Sequence, residues 1–363
     1  MILHNRFKEK AMNAAMIFFF LLAAGLYSCT AQILPPKSAQ ELYDKSNGDV
    51  KNAGSKIRLL TGVNVNANAI ALGEFINGPF AELKPILTPL GDRLYFSRSL
   101  HPLNTGGELD LEDIWYSEYS QEDNAWSEPI HLPGHLNNAG PNFVNSISMT
   151  GDTLILGNRY TKKGKMRSGL SYSIISGGQW SRPVPIHIEN DYNLSNHANS
   201  YVSLKSGIIV SAIQRCDSKG DRDLYVSFWN GERATEPINM GGVINSNLEE
   251  SSPFLSSDNE TLYFASKGHL GYGGYDIYVT KRLDDSWTNW TVPQNLGPAV
   301  NGIMDDEFFS ITHCGTYAVF TKQVNVHNWD LYKISLNDLL SNYCPQEDKG
   351  IQKETTSGVL AKL

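Results

Sequence analysis

Carboxylates and bases recur along this 363-residue chain at similar places in successive segments. Glu82, Glu250 and Glu307 each stand at the head of an apolar-rich segment, and a base closes the run that follows: Arg98, Arg159, Arg215, Lys267 and Lys322. An aspartate then opens the next run at Asp113, Asp223, Asp276 and Asp330. Such groups do one of two kinds of work. Paired with each other they fix local geometry, each exposed pair contributing about 0–1 kcal/mol. Facing a cleft, two of them can act as acid and as base or nucleophile on a glycosidic bond. Repetition favours the structural role, because a fold rule makes copies whereas a binding site breaks symmetry. Glu112 is the exception: it sits in a long acidic loop, 99–112, with no counterpart elsewhere, and is the glutamate to test if the chain cleaves glycans. The spacing of Asp110, Glu112 and Asp113 does not fit a calcium loop. Histidines are scattered, and neither a phosphate-cradling Gly-x-x-x-x-Gly-Lys loop nor a Gly-x-Ser-x-Gly elbow occurs, so no metal or cofactor is expected.

The positioning elements follow from the spacing. Asp276 lies 53 residues after Asp223, Asp330 lies 54 after Asp276, and Asp113 lies 110 before Asp223, with the skipped copy falling near Tyr172. A constant period of this size marks a solenoid, propeller or array. Each copy holds short Val/Ile/Tyr/Phe runs separated by turns such as Leu90-Gly91-Asp92 and Ser257-Asp258-Asn259, and none holds a long stretch at helical period. Four strands per copy make a propeller blade. The expected fold is an all-β propeller of five four-stranded blades, with a sixth left open if residues 33–69 supply strands. A linker motif ends each unit, as in Met240 to Asn245 and Leu296 to Asn301. An orphan copy, Leu72 to Asn77, precedes the first blade, while none follows Tyr332. The segment near Ile70 should therefore pair beside Tyr332 and close the ring by joining N- and C-terminal strands. One aromatic per blade, at Trp126, Trp180, Trp229 and Trp287, is expected to fill the gap between neighbouring sheets rather than bind sugar.

Strand direction places the Glu, base and Asp positions on one rim, with the loops between second and third strands. Those loops differ: 99–112 in blade one, 159–167 with Lys162, Lys163, Lys165 and Arg167 in blade two, and 268–275 with His269 in blade four. Variable loops on a rigid scaffold commonly carry recognition.

Net charge is −8 without blocks of either sign, which argues against nucleic acid or an anionic membrane as a partner. Residues 1–31 read as an export signal, with Arg6, Lys8 and Lys10 before an apolar core. An alternative lipobox ends at Cys29, which would then be lipidated. Residues 32–56 read as linker, 57–340 as propeller and 341–363 as a polar tail. Cys216, Cys314 and Cys344 allow at most one internal disulfide, and isolated thiols are an equal reading.

The strings Glu250-x-x-Pro253, Leu262-Tyr-Phe-Ala-Ser266, Tyr275-Asp-Ile-Tyr-Val279 and Asn295-Leu-Gly-x-x-x-Asn301 resemble the WD-like TolB-type propeller repeat of Bacteroidetes-type envelope proteins. Over about residues 70–335 the resemblance implies a non-enzymatic envelope scaffold in the periplasm or outer membrane, binding an envelope protein across its loop rim. The other partner class left open is a glycan or a peptidoglycan-associated one. The OmpA-like domain that often accompanies such propellers has no counterpart in this sequence. The alternative is a propeller-type carbohydrate-binding protein or glycoside hydrolase.

Overall fold

The computed structural model describes residues 56–161, 166–313 and 315–340. The leader with Cys29, most of the linker, Lys162, Lys163, Lys165, Cys314, Cys344 and the polar tail lie outside the described residues. Cys216 is disulfide-bonded, and its partner also lies outside them.

Five antiparallel sheets follow one another as blades. Their inner strands are Ala81–Leu87, Val144–Ile147, Asn199–Ser203, Glu250–Leu255 and Asp306–Ile311. Second and third strands follow in sequence, for instance Thr261–Ser266 and Asp276–Lys281 in blade four. The outer strand of blade five is Ile70–Ala71, which pairs with Asn328–Ser335 in the register Ile70 to Lys333 and Ala71 to Tyr332. The ring is thus sealed as the orphan linker required. Residues 56–69 add no sixth blade among the described residues. Instead Leu60 N–H bonds the Asn295 carbonyl at 2.9 Å, covering an outer strand edge of blade four, and Asn64 N–H bonds that of Leu339 at 2.7 Å at the end of the helix Leu336–Leu339.

The core divides by junction. Among the described residues five apolar clusters form, one in each gap between neighbouring blades. Leu262 and Phe264 face blade three, joining Val210 and Val226, while Tyr263 between them faces blade five, joining Phe309 and Phe320. This is the two-residue period of a strand with both faces covered. Trp126, Trp229 and Trp287 are buried in these gaps. Trp180 is half-buried, its ring 6.5 Å from that of Tyr95.

The Glu-x-x-Pro string has a backbone meaning. In blades one, four and five the inner strand bulges, and a non-glycine residue there takes a left-handed conformation: Lys84 (φ 56°), Ser252 (φ 48°) and Phe308 (φ 57°). Pro85 and Pro253 follow the first two, where a missing N–H costs no ladder bond.

Candidate functional site

The repeated polar residues clamp the linkers. Each linker Asn completes a pairing with the third strand. The Asn301 side chain accepts from Ile277 N–H at 2.8 Å and donates to the Ile277 carbonyl at 2.9 Å. Asn77 does the same at Leu331, Asn137 at Ile114 and Asn245 at Leu224. A residue at the head of the inner strand accepts from the backbone N–H four positions earlier: Glu82 from Gly78, Asn142 from Asn138, Glu250 from Ser246 and Asp306 from Gly302. A side chain in the last part of the second strand or just beyond it donates to a linker carbonyl: Arg98 to Ile76, Tyr160 to Leu136, Arg215 to Asn190, His269 to Ile244 and Lys322 to Val300. The third-strand aspartates tie the preceding loop, as when Asp276 accepts from Tyr272 N–H at 2.6 Å and Asp223 from Lys219 N–H at 2.7 Å.

This places each expected rim residue. Arg98 pairs with fully buried Glu82 at 3.1 Å, Arg215 with Glu236 at 2.8 Å, Lys322 with Asp306 at 2.8 Å, and Arg159 with Asp191. Glu250 accepts from the Ser266 hydroxyl at 2.7 Å and meets no base. Two residues leave the pattern. Lys267 yields the linker carbonyl to His269 and turns to Glu249, 3.0 Å away. Register puts Asp306, not Glu307, opposite the base, since Asp306 faces Lys322 and Glu307 faces Thr321.

Residues free of the clamp gather across blades three to five. The Tyr275 hydroxyl donates to Glu249 at 2.6 Å, and the Arg222 guanidinium donates to the Tyr275 oxygen at 2.6 Å and lies 3.7 Å from Glu249. Arg222 is buried, with its Nε unpartnered. Glu307 accepts from the Ser252 hydroxyl at 3.0 Å. The two glutamates are driven apart. Burial pushes Glu249 up, but Lys267, the Tyr275 hydroxyl and Arg222 outweigh it and hold its carboxyl below the usual range. Burial dominates at Glu307 and lifts it above that range, against opposing pulls from Ser251 and Arg222. Two glycines permit the cluster. A Cβ on Gly274 would fall 2.0 Å from Asp305 Oδ1, which accepts from Tyr275 N–H at 2.9 Å, and one on Gly220 would fall 1.8 Å from the Leu248 carbonyl oxygen.

Beside this cluster runs the axial channel, lined by inner strands of all five blades and including Lys84, Asn145, Tyr201, Ser252, Phe254 and Phe308. Glu112 reaches Lys84 here: the ammonium is 2.5 Å from both carboxylate oxygens, and the Ser97 hydroxyl donates to one of them at 2.9 Å. Among the described residues no group of His, Cys, Asp and Glu is arranged to hold a metal.

Sequence reasoning singled out Glu112 and Glu307 but missed Lys84, Arg222, Glu249 and Tyr275. A signal exists. Glu112, Arg222, Tyr275 and Trp329 all immediately precede the repeated Asp, so this column of the repeat changes chemistry from blade to blade while its neighbour does not.

No family model matches the sequence, and no curated protein is similar to it. Among solved structures, a BT0996 complex with RGII shares 9% identity over 83% of this protein and 96% of its own length, with a TM-score of 0.50. A structure titled glycoside hydrolase shares 8% over 80% and 94%, at 0.48. An α-L-arabinofuranosidase from Lactobacillus brevis shares 12% over 72% and 92%, at 0.43. At these identities the likeness is one of fold. The three structures named carry carbohydrate-related titles rather than TolB-type or OmpA-associated ones, which corrects the expected TolB-type membership. The expectations of a non-enzymatic scaffold and of no enzyme came with that membership and are withdrawn with it. Those expectations were built on repeated motifs, which describe blade construction and are silent on chemistry.

Proposed function

We propose that the protein is an exported carbohydrate-acting propeller, a glycoside hydrolase whose acid and base stand at the mouth of the axial channel. The observation that carries this reading is the opposite displacement of Glu249 and Glu307 around one buried guanidinium. Two carboxyls whose environments push their pKa values apart are the signature of an acid and a base in one site. Glu307, holding its proton, donates it to the glycosidic oxygen as the bond breaks. Glu249, ionised, activates the attacking water or attacks the anomeric carbon itself. Arg222 and Lys267 keep Glu249 anionic, and the Tyr275 hydroxyl fixes its orientation. Tyr201, Phe254 and Phe308 offer ring faces to a sugar, and Asn145 and Ser252 offer polar groups, a mixture suited to a pyranose. The carbohydrate-related titles of structures sharing the fold agree with this reading. Its test is the release of reducing ends from a panel of plant and bacterial oligosaccharides by the purified protein. Cleavage by wild type that is lost in Glu307→Gln and Glu249→Gln, with unfolding curves unchanged, is the expected result. A wild type that neither cleaves nor binds any member of the panel overturns the reading.

A further inference from the structure

In blades one, four and five the same bulge turns one inner-strand residue toward the axis, but what it turns inward differs. The position holds Lys84 in blade one, Ser252 in blade four and Phe308 in blade five. Lys84 is the only charged side chain among the described residues lining the channel. It is buried, and its backbone is held in the left-handed region that residues other than glycine seldom adopt. The ammonium lies 4.3 Å from the centre of the Phe143 ring and 5.3 Å from that of Phe308. Aromatic faces attract a cation without neutralising it. Neutralisation comes from Glu112 alone, which is no part of the channel wall. It arrives from the blade-one loop, whose Leu103, Leu109 and Leu111 are exposed.

A channel for neutral sugar needs no lysine at its centre. We propose that the channel receives an acidic sugar, a uronic acid unit whose carboxylate takes the place of Glu112 on the Lys84 ammonium. The exchange swaps one carboxylate for another and leaves the buried charge balanced. Glu112 then withdraws with its loop toward solvent. This rests on the reading that the channel takes a glycan and adds which class of glycan it takes.

The experiment compares galacturonic and glucuronic acid, and their short oligomers, with the corresponding methyl esters, which keep the shape and remove the charge. Binding is measured by calorimetry on the whole protein. Wild type is expected to favour acid over ester by at least about tenfold. Lys84→Met should erase that preference. Glu112→Gln, which removes the competing carboxylate, should strengthen acid binding several-fold while leaving the ester nearly unchanged, and it keeps the test decisive if Lys84→Met folds poorly. Acid and ester bound equally by wild type, or a Glu112→Gln protein with no gain for the acid, overturns the inference while leaving glycan binding intact. Binding of neither form or of any neutral sugar overturns this inference and the glycan reading together.

Discussion

Glu249 and Glu307 answer to the same guanidinium and end in opposite states. Arg222 sits 3.7 Å from Glu249 and helps hold it below the usual carboxylate range, yet its pull on Glu307 is outweighed by burial. The pair comes from adjacent blades, so neighbouring sheets must dock correctly before the difference exists.

Catalysis should therefore follow a bell-shaped pH profile. Activity requires Glu249 ionised, and it is lost as pH falls through the depressed value. Activity also requires Glu307 protonated, and it is lost as pH rises through the elevated value. Glu307→Gln should lower kcat by about 10²–10⁴-fold and remove the alkaline limb. A profile whose alkaline limb survives in Glu307→Gln assigns the proton to another group.

Arg222→Met should move the acidic limb. Without the guanidinium, Glu249 keeps only Lys267 and the Tyr275 hydroxyl against burial, and its pKa rises. The optimum should narrow from the acid side, with kcat reduced and KM little changed. If instead KM rises alone, Arg222 is a substrate ligand through its unpartnered Nε.

Stability should fall as pH rises. Burial is the leading cause that lifts Glu82 to about 8, Glu250 to about 7, Asp276 to about 7 and Asp306 to about 6. Each group holds its proton more tightly folded than unfolded. The folded state thus gives up stability between the unfolded value near 4 and the folded value, and the loss levels off above pH 8. The loss is read as a lower urea midpoint at pH 8 than at pH 5. Glu82→Gln should shallow the slope. A midpoint that climbs with pH contradicts the assignment.

Asn301→Ala should cost roughly 2–5 kcal/mol, since it strands the N–H and carbonyl of buried Ile277. The same substitution at exposed Asn230 should cost less than about 1 kcal/mol. Thermal unfolding of the two variants side by side measures the contrast.

Export and anchoring are testable at Cys29. If Cys29 is lipidated, Cys29→Ala should move the mature protein from the membrane fraction to the soluble fraction or block its processing. A mature wild-type chain beginning at Gln32 rejects the lipid anchor.

The fold was legible because its rules repeat. The 53- to 54-residue interval, the Glu-x-x-Pro string and the linker Asn each report a backbone requirement that recurs from blade to blade, and the orphan linker before blade one gave the closure. The site was less legible for the same reason. Glu82 and Glu250 drew attention as carboxylates, but they are buried linker caps. Arg222 and Tyr275 were hidden in the column beside the conspicuous Asp, where no two blades agree. Glu307 was grouped with Glu82 on sequence spacing, because a one-residue shift in register cannot be seen without the partner strand.

The pairing of Ile70 with Lys333 also sets the order in which the molecule can be assembled. Those residues are 263 positions apart in the chain, so the strand that completes the last blade is among the first of the ring to be synthesised. It must wait, unpaired, while four blades emerge. Any shortened nascent chain presents two raw sheet edges, each a template for another molecule. Closing so long a loop adds little to its equilibrium cost, because that cost grows only with the logarithm of length, but it slows the search. The Ile70 strand is two residues long. So brief an edge is a poor seed for aggregation while it waits, and it locks only when Asn77 reaches Leu331 and the outer rim of the ring becomes continuous.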